Sequence, residues 1–393
     1  MNRTLMMTAL FLTLPGVCVA QTSSVPTPVP GMNSPIAPTP IRFSTNLPEA
    51  TTTAAPAAGL NPLIMSASDL AAWGYPPQPD PNATPQAYAI WVQAMTAAQI
   101  RIFPNLIRSA SRAHGPASAA PSVNLSNSTP AVVSAMNAAA QNAGIGSYNW
   151  SGYLNTNPNT GGATFTSVFA QYVVPRALQA PGACTGGWDY SSTWVGLDGA
   201  GAGSGDVLQA GTVADAYCSQ NSRGLSGADN DTENTIPDVG GPPSLSMGTA
   251  YYAWYEWFPN LATRIKGLRV RPGDSIFVEV WSTSSTTGNA FLVNLNTQQY
   301  VSINLTAPAG VQLAGASAEW ITELPTLSGN LGTLTNYVSE YMSGAYALDS
   351  NGAIYDPSVS TPVVMVDANT QPISYPTLLG IGATLLQSTG SAQ

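Results

Sequence analysis

Three side chains in the second half of the chain pair a useful functional group with an apolar setting: Gln209, Glu256 and Glu319. Residues two apart in a strand share a sheet face. In the run Thr249–Phe258, Tyr252, Trp254, Glu256 and Phe258 therefore point one way, and Tyr251, Ala253, Tyr255 and Trp257 the other. A carboxylate among rings is poorly hydrated, and desolvation raises its pKa. Glu319, in Ser317-Ala318-Glu319-Trp320-Ile321, stands in a similar context. Gln209, in Val207-Leu208-Gln209-Ala210-Gly211, is a lone amide on an apolar face. Two readings stay open for each group. In one it satisfies buried backbone groups. In the other a carboxylate exchanges protons with a water or a leaving group, while the amide NH2 donates to a developing oxyanion and its carbonyl accepts from the water.

What the chain lacks narrows the chemistry. It has one histidine, His114, one lysine, Lys266, and three cysteines, Cys18, Cys184 and Cys218. Multi-histidine metal sites are excluded, and a Ser-His-Asp or Cys-His mechanism must use His114. A pepsin-like pair of Asp-Thr/Ser-Gly segments is absent; Asp198-Gly199 and Asp349-Ser350-Asn351 do not match. Asp229-Asn230-Asp231 with Glu233 offers oxygen ligands for calcium but lacks the full binding loop, so a solvated loop is the plainer reading. No metal and no organic cofactor is expected.

The 393 residues are 44% hydrophobic and only 8% charged, with a net charge of −9. An average soluble chain is roughly 25% charged. With no basic tract, neither nucleic acid nor an anionic membrane is an expected partner.

The elements that must position these groups begin after an export signal. Arg3, the apolar run Leu5–Leu14 and the small residue Ala20 predict a signal peptide over 1–20, cut after Ala20. A lipoprotein anchor on Cys18 is disfavoured by Pro15 and Val17 beside it. The mature chain is expected to be secreted, or periplasmic in a bacterium, with Cys184 and Cys218 paired in a disulfide. Thr, Pro, Ala and Ser dominate residues 21–62, which read as an extended linker. Residues 85–113 read as helical: Pro85 opens the run, Tyr88, Trp91, Val92 and Met95 share a face, and Pro104 kinks or ends it. A shorter helix is expected over 131–143. Residues 21–140 hold four arginines and three acids, whereas residues from 141 on hold six bases and seventeen acids. That contrast suits a pro-segment over 21–145 lying on an acidic site as its inhibitor, or a plain spacer.

From Tyr148 the texture is β. Strands are expected within 161–174, 207–218, 249–258, 275–281, 290–295, 301–307 and 318–324, bounded by turn residues such as Pro272-Gly273-Asp274. Short strands without a long helix predict an all-β antiparallel sandwich over 146–393. The tail from 327, with Val363–Val366, supplies late strands.

Six segments in order carry a resemblance to a known family. They are Asn149-Trp150-Ser151-Gly152-Tyr153, Trp194-Val195-Gly196-Leu197-Asp198-Gly199, Leu208-Gln209-Ala210-Gly211, Tyr252-Ala253-Trp254-Tyr255-Glu256-Trp257-Phe258-Pro259, Pro272-Gly273-Asp274 and Ala318-Glu319-Trp320-Ile321. Over roughly 149–325 the chain resembles the glutamic peptidases of family G1, the eqolisins. The resemblance implies a concanavalin-like sandwich of two curved antiparallel sheets, with a catalytic dyad at Gln209 and Glu319. It implies support or substrate contact from Trp150, Trp194, Asp198, Trp254 and Glu256. It further implies a secreted acid endopeptidase acting on polypeptides, here expected to be a monomer. A carbohydrate-binding or glycoside-hydrolysing sandwich, using Glu256 with Glu319, is the alternative, and a non-catalytic adhesion protein is a third reading. The peptidase reading alone requires Gln209.

Overall fold

A computed structural model describes residues 40–56, 60–120, 123, 145–156, 163–180, 186–200, 205–219, 236–237 and 246–390. The export signal, the helix expected over 131–143, Cys184 and the Asp229–Glu233 cluster lie outside them. Cys218 is buried, and its pairing with Cys184 stays a proposal.

The principal elements in chain order are β1 (Ala50–Thr53), α1 (Pro85–Ala97), β2 (Asn105–Arg108), β3 (Trp150–Asn155), β4 (Phe165–Val173), β5 (Ser192–Leu197), β6 (Leu208–Ser219), β7 (Ser246–Trp257) and β8 (Thr263–Lys266). They continue with β9 (Ser275–Ser284), β10 (Thr287–Asn294), β11 (Gln299–Thr306), β12 (Ala318–Glu323), β13 (Ser339–Asp349), β14 (Thr361–Val366), β15 (Pro372–Gly380) and β16 (Ala383–Ser388). The strands expected from residue 161 onward are thus present, and the tail supplies β13 to β16.

Two antiparallel layers share one strand. The first runs β14–β3–β12–β5–β6–β7–β8–β2. The second runs β11–β10–β9–β4–β13–β16–β15 and closes on β14. The apolar core between them includes Val168, Val195, Ala210, Tyr255, Val278, Leu292 and Trp320. Both faces of β7 are buried, as its two-sided aromatic pattern requires. Tyr251, Ala253, Tyr255 and Trp257 enter this core, while Tyr252 and Trp254 join a separate cluster on the opposite face with Trp150 and Trp194.

Residues before 145 depart from their sequence reading in two places. Within the stretch read as an extended linker, Arg42–Ser44 and β1 are strands, and β1 pairs with the edge of β11 through Thr51 and Ala50. The helix read over 85–113 ends at Ala97. Its face is as expected, with Trp91 and Met95 buried against Phe277, Phe291 and Tyr300. Beyond it, β2 pairs with β8 (Arg108 opposite Thr263, Asn105 opposite Lys266). In both places an open sheet edge supplies the main-chain partners that the local sequence does not advertise, and tertiary pairing overrides propensity. From Pro40 onward the chain packs as one unit.

Candidate active site

Strand register brings the sequence-predicted residues into rows. Gly196 on β5 lies opposite Gln209 on β6 and opposite Glu319 on β12. Gln209 in turn lies opposite Glu256 on β7, and Glu319 opposite Leu154 on β3. Direct opposition fixes a common face. One row across the sheet therefore reads Leu154, Glu319, Gly196, Gln209, Glu256, all away from the sandwich core. Gln209 and Glu319 flank a glycine, with two strand spacings between their Cα atoms, roughly 10 Å. Glu256 and Glu319 are three spacings apart, with Gln209 and Gly196 between them.

The next row reads Gly152, Ile321, Trp194, Gly211, Trp254, and the one after it Trp150, Glu323, Ser192, Val213, Tyr252. The glycines of these rows make room for rings. A Cβ on Gly211 would meet Trp194 Cβ at 2.7 Å and the Thr193 carbonyl at 1.9 Å. A Cβ on Gly196 would meet the Trp194 ring at 2.7 Å, so that ring leans over the gap between Gln209 and Glu319. Trp150 packs edge-on against Trp194, with centroids 5.0 Å apart. Asp198, at the end of β5, takes a left-handed backbone with φ 68°. Its carboxylate accepts from the N–H groups of Ala314, Gly315 and Ala316 at 2.6, 3.1 and 2.6 Å. It thereby anchors the loop that leads into β12 and Glu319.

Glu319 and Gln209 are fully buried. Neither carboxylate oxygen of Glu319, nor Oε1 of Gln209, has a partner at good hydrogen-bond geometry among the described residues, although the Ser317 hydroxyl lies near enough to Glu319 to influence its charge. Burial pushes Glu319 well above the usual carboxylate range; Asp198 adds to the rise and the Ser317 hydroxyl opposes it. Burial also raises Glu256 and Glu323. Glu323 accepts from Trp194 Nε1 at 2.9 Å and from Asn149 Nδ2 at 3.3 Å.

What buries this face is the segment around His114. It enters beside β2 with Ser109 N–H donating to the Ala262 carbonyl at 2.8 Å. The Arg112 carbonyl accepts from Ala262 N–H at 3.0 Å. The Arg112 guanidinium, 3% exposed, lies 2.5 Å from Asp215 and over the rings of Tyr190 and Tyr252. The His114 ring stacks on Trp254 at 3.7 Å. Its Nδ1 is 3.1 Å from Glu256 Oε2, its Nε2 is 2.8 Å from Ser192 Oγ, and its main-chain N–H donates to Glu256 at 3.0 Å. Burial, with help from the Arg112 charge, holds the imidazole well below its ordinary pKa. The Gln209 amide donates to the His114 carbonyl. Farther on, Asn149 Nδ2 donates to the Pro116 carbonyl at 3.2 Å, Ala117 N–H donates to the Gly199 carbonyl at 3.1 Å, and Ser118 N–H donates to Asn149 at 2.7 Å.

The structure thus gathers Gln209, Glu319, Glu256, Trp150, Trp194 and Trp254 on one face and sets Asp198 at its rim. Sequence reasoning had not singled out Ser192, Asp215, Glu323 or Asn149. Glu323 was within reach, because it stands four residues from Glu319 and so on the same face. Asp215 shares a face with Gln209 by the same count.

Comparison with known proteins bears on the chain's family. Residues 148–380 match the model of the Peptidase A4 family. Aspergillopepsin-2 of Aspergillus niger is 34% identical over 137 residues, which are 34% of this chain and 48% of that protein. Scytalidopepsin B of Scytalidium lignicola is 39% identical over 97 residues, 25% of this chain and 37% of that protein. The chain therefore spans less than half the length of each of these two relatives. A crystal structure of scytalido-glutamic peptidase with a transition state analog inhibitor superposes with a TM-score of 0.45 at 22% identity, over 62% of this chain and 98% of that one. With more than half its residues matched to the family's model, the chain belongs to the Peptidase A4 family, the G1 eqolisins.

Proposed function

We propose that this chain is a secreted acid endopeptidase whose dyad is Gln209 and Glu319, kept latent by the segment around His114. The observation that carries the reading is the hydrogen bond from the Gln209 amide to a peptide carbonyl, that of His114, made in the same row as a buried glutamate. An oxyanion donor must make that contact with a scissile carbonyl. Glu319, once ionised, takes a proton from a water as the water attacks the carbonyl carbon, and the Gln209 NH2 stabilises the oxyanion. Glu319 then returns the proton to the leaving amine. The wide tryptophan-lined face accommodates an extended polypeptide. Secretion rests on the sequence signal at 1–20.

A second reading has its own observation. Glu256, His114 and Ser192 are linked in the order and at the distances of a carboxylate–histidine–serine relay. Against it, the histidine belongs to the segment that fills the face. A substrate reaching Ser192 would displace the base that activates it. The glycosidase alternative fares no better: Glu256 and Glu319 stand three strand spacings apart in one sheet, roughly 14 Å at Cα, rather than facing each other across a groove.

The test is hydrolysis of denatured casein and of a polysaccharide panel at acidic pH by the purified chain, with Glu319→Gln and Ser192→Ala in parallel. Casein cleavage lost in Glu319→Gln and kept in Ser192→Ala supports the glutamic reading; the reverse pattern refutes it.

A further inference from the structure

We propose that the bond between His114 and Gly115 is the first that this chain cuts, so that the segment seated on the active-site face is the enzyme's own first substrate. The inference rests on the hydrolytic reading above and adds to it the position of the cut.

Main-chain contacts fix the segment's path. Arg112 and His114 lie over the β7 and β6 side of the face, through Ala262, Glu256, Asp215 and Gln209. Pro116 to Ser118 are held by Asn149, just before β3, and by Gly199, just after β5. The strand that carries Glu319, β12, pairs with both β5 and β3 and so lies between those two anchors. Passing from His114 to Pro116, the chain moves from the side of Gln209 to the side of Glu319, and Gly115 spans the step. The carbonyl before Gly115 is the one that the Gln209 amide holds. The Gln209 amide therefore holds the oxygen of the His114–Gly115 peptide bond, and the chain beyond that bond runs toward the strands that flank Glu319. Gly115 presents no side chain there, and a Cβ at that position would meet only the Phe258 ring, at 3.5 Å.

The step balances without a further reactant. Water adds through oxygen to the His114 carbonyl carbon and gives a proton to ionised Glu319. The C–N bond to Gly115 then breaks, and Glu319 passes the proton to the Gly115 nitrogen. The products are a chain ending in the His114 carboxylate and a chain beginning with the Gly115 amine. Burial explains why the bond survives while seated. Burial holds Glu319 above the usual carboxylate range in the closed face, which disfavours the ionised form that a base requires. Water entering the face supplies the nucleophile and rehydrates the carboxylate together.

The experiment uses the full chain without its signal, purified at neutral pH and shifted to acid, with new termini read by mass spectrometry over time. The same is done for Glu319→Gln, and matured enzyme is given a synthetic peptide of residues 109–120. The expected result is a first new terminus at Gly115, absent in Glu319→Gln, and a peptide cut between its His and Gly. Glu319-dependent casein hydrolysis with a first cut elsewhere overturns this inference and leaves the glutamic reading standing. No Glu319-dependent hydrolysis of any substrate overturns both.

Discussion

Replacing His114 by alanine tests whether this imidazole serves or blocks the site. The substitution removes the Nδ1 contact with Glu256, the Nε2 contact with Ser192 and the stack on Trp254. It keeps the two main-chain contacts, from His114 N–H to Glu256 and from Gln209 to the His114 carbonyl. A net hydrogen bond is worth about 1 kcal/mol, and an aromatic stack adds about 1 kcal/mol. The seated state should lose about 3 kcal/mol, which at ~1.4 kcal/mol per factor of ten is a shift on the order of 10²-fold toward the open state. The assay is the initial rate on a quenched-fluorescent peptide, measured while gels still show an intact chain. The intact His114→Ala chain should turn over substrate on the order of 10²-fold faster than the intact parent. A rate equal to the parent's, or lower, would refute the blocking argument, and a lost rate with Ser192→Ala equally inactive would favour the serine relay.

The remaining expectations concern the same face and one covalent link. Seated, burial pushes His114 below its ordinary pKa and Glu256 above its own; exposed, the pair holds two protons below about pH 4.3, one up to about 6.5 and none above. Taken singly, the His114 contact is fully present above about 6.5 and lost as pH falls, and the Glu256 contact is fully present below about 4.3 and lost as pH rises. The hydrogen-exchange protection factor of residues 109–118 in Glu319→Gln, which is the intrinsic exchange rate at each pH divided by the observed one, should accordingly be greatest between those values and fall on both sides, and a monotonic trend of that factor from pH 3 to 8 would contradict the scheme. Gln209→Ala should lower kcat by about 10²–10³-fold with the fold intact by circular dichroism, and near-normal kcat would remove the oxyanion role. Alkylation and mass spectrometry of the non-reduced mature chain should find Cys184 linked to Cys218, a closure worth about 3–4 kcal/mol in the chain-entropy picture; two alkylated thiols would rule the link out.

Much of the sandwich was legible because its signal is local. The alternation in Thr249–Phe258 assigned both faces of β7 correctly, since each side chain's direction follows from its parity alone. The site was legible only through a family resemblance, because register between strands 110 residues apart leaves no local trace; nothing within Val207–Gly211 says that Gln209 shares a row with Glu319. His114 was read as part of a segment to be discarded, and its burial against Glu256 and Trp254 depends on a path across the sheet that no periodicity encodes. The charge contrast between residues 21–140 and the rest suited a segment lying on an acidic site, and Arg112 of the early segment does pair with Asp215. The strands at Arg42–Ser44, β1 and β2 were missed for a related reason. They are short, with sequences Arg42-Phe43-Ser44, Ala50-Thr51-Thr52-Thr53 and Asn105-Leu106-Ile107-Arg108 that carry few core side chains, and they are ordered by the edges they complete.

Those edges give the cut a second meaning. The segment before His114 is bound to the rest of the molecule by β1 along β11 and by β2 along β8, through main-chain pairings that do not involve the proposed scissile bond. Severing the chain and shedding the fragment are therefore distinct events with distinct rates. A nicked molecule can hold its fragment as a noncovalent subunit, with the His114 carboxylate left near the dyad as a tethered product. Once the fragment departs, two rows of main-chain N–H and C=O groups face solvent at once, and the fragment that would template their pairing is gone. Maturation on this plan works as a ratchet: the protein folds with its edges covered, and the active form, once unfolded, has lost the strands against which those edges assembled.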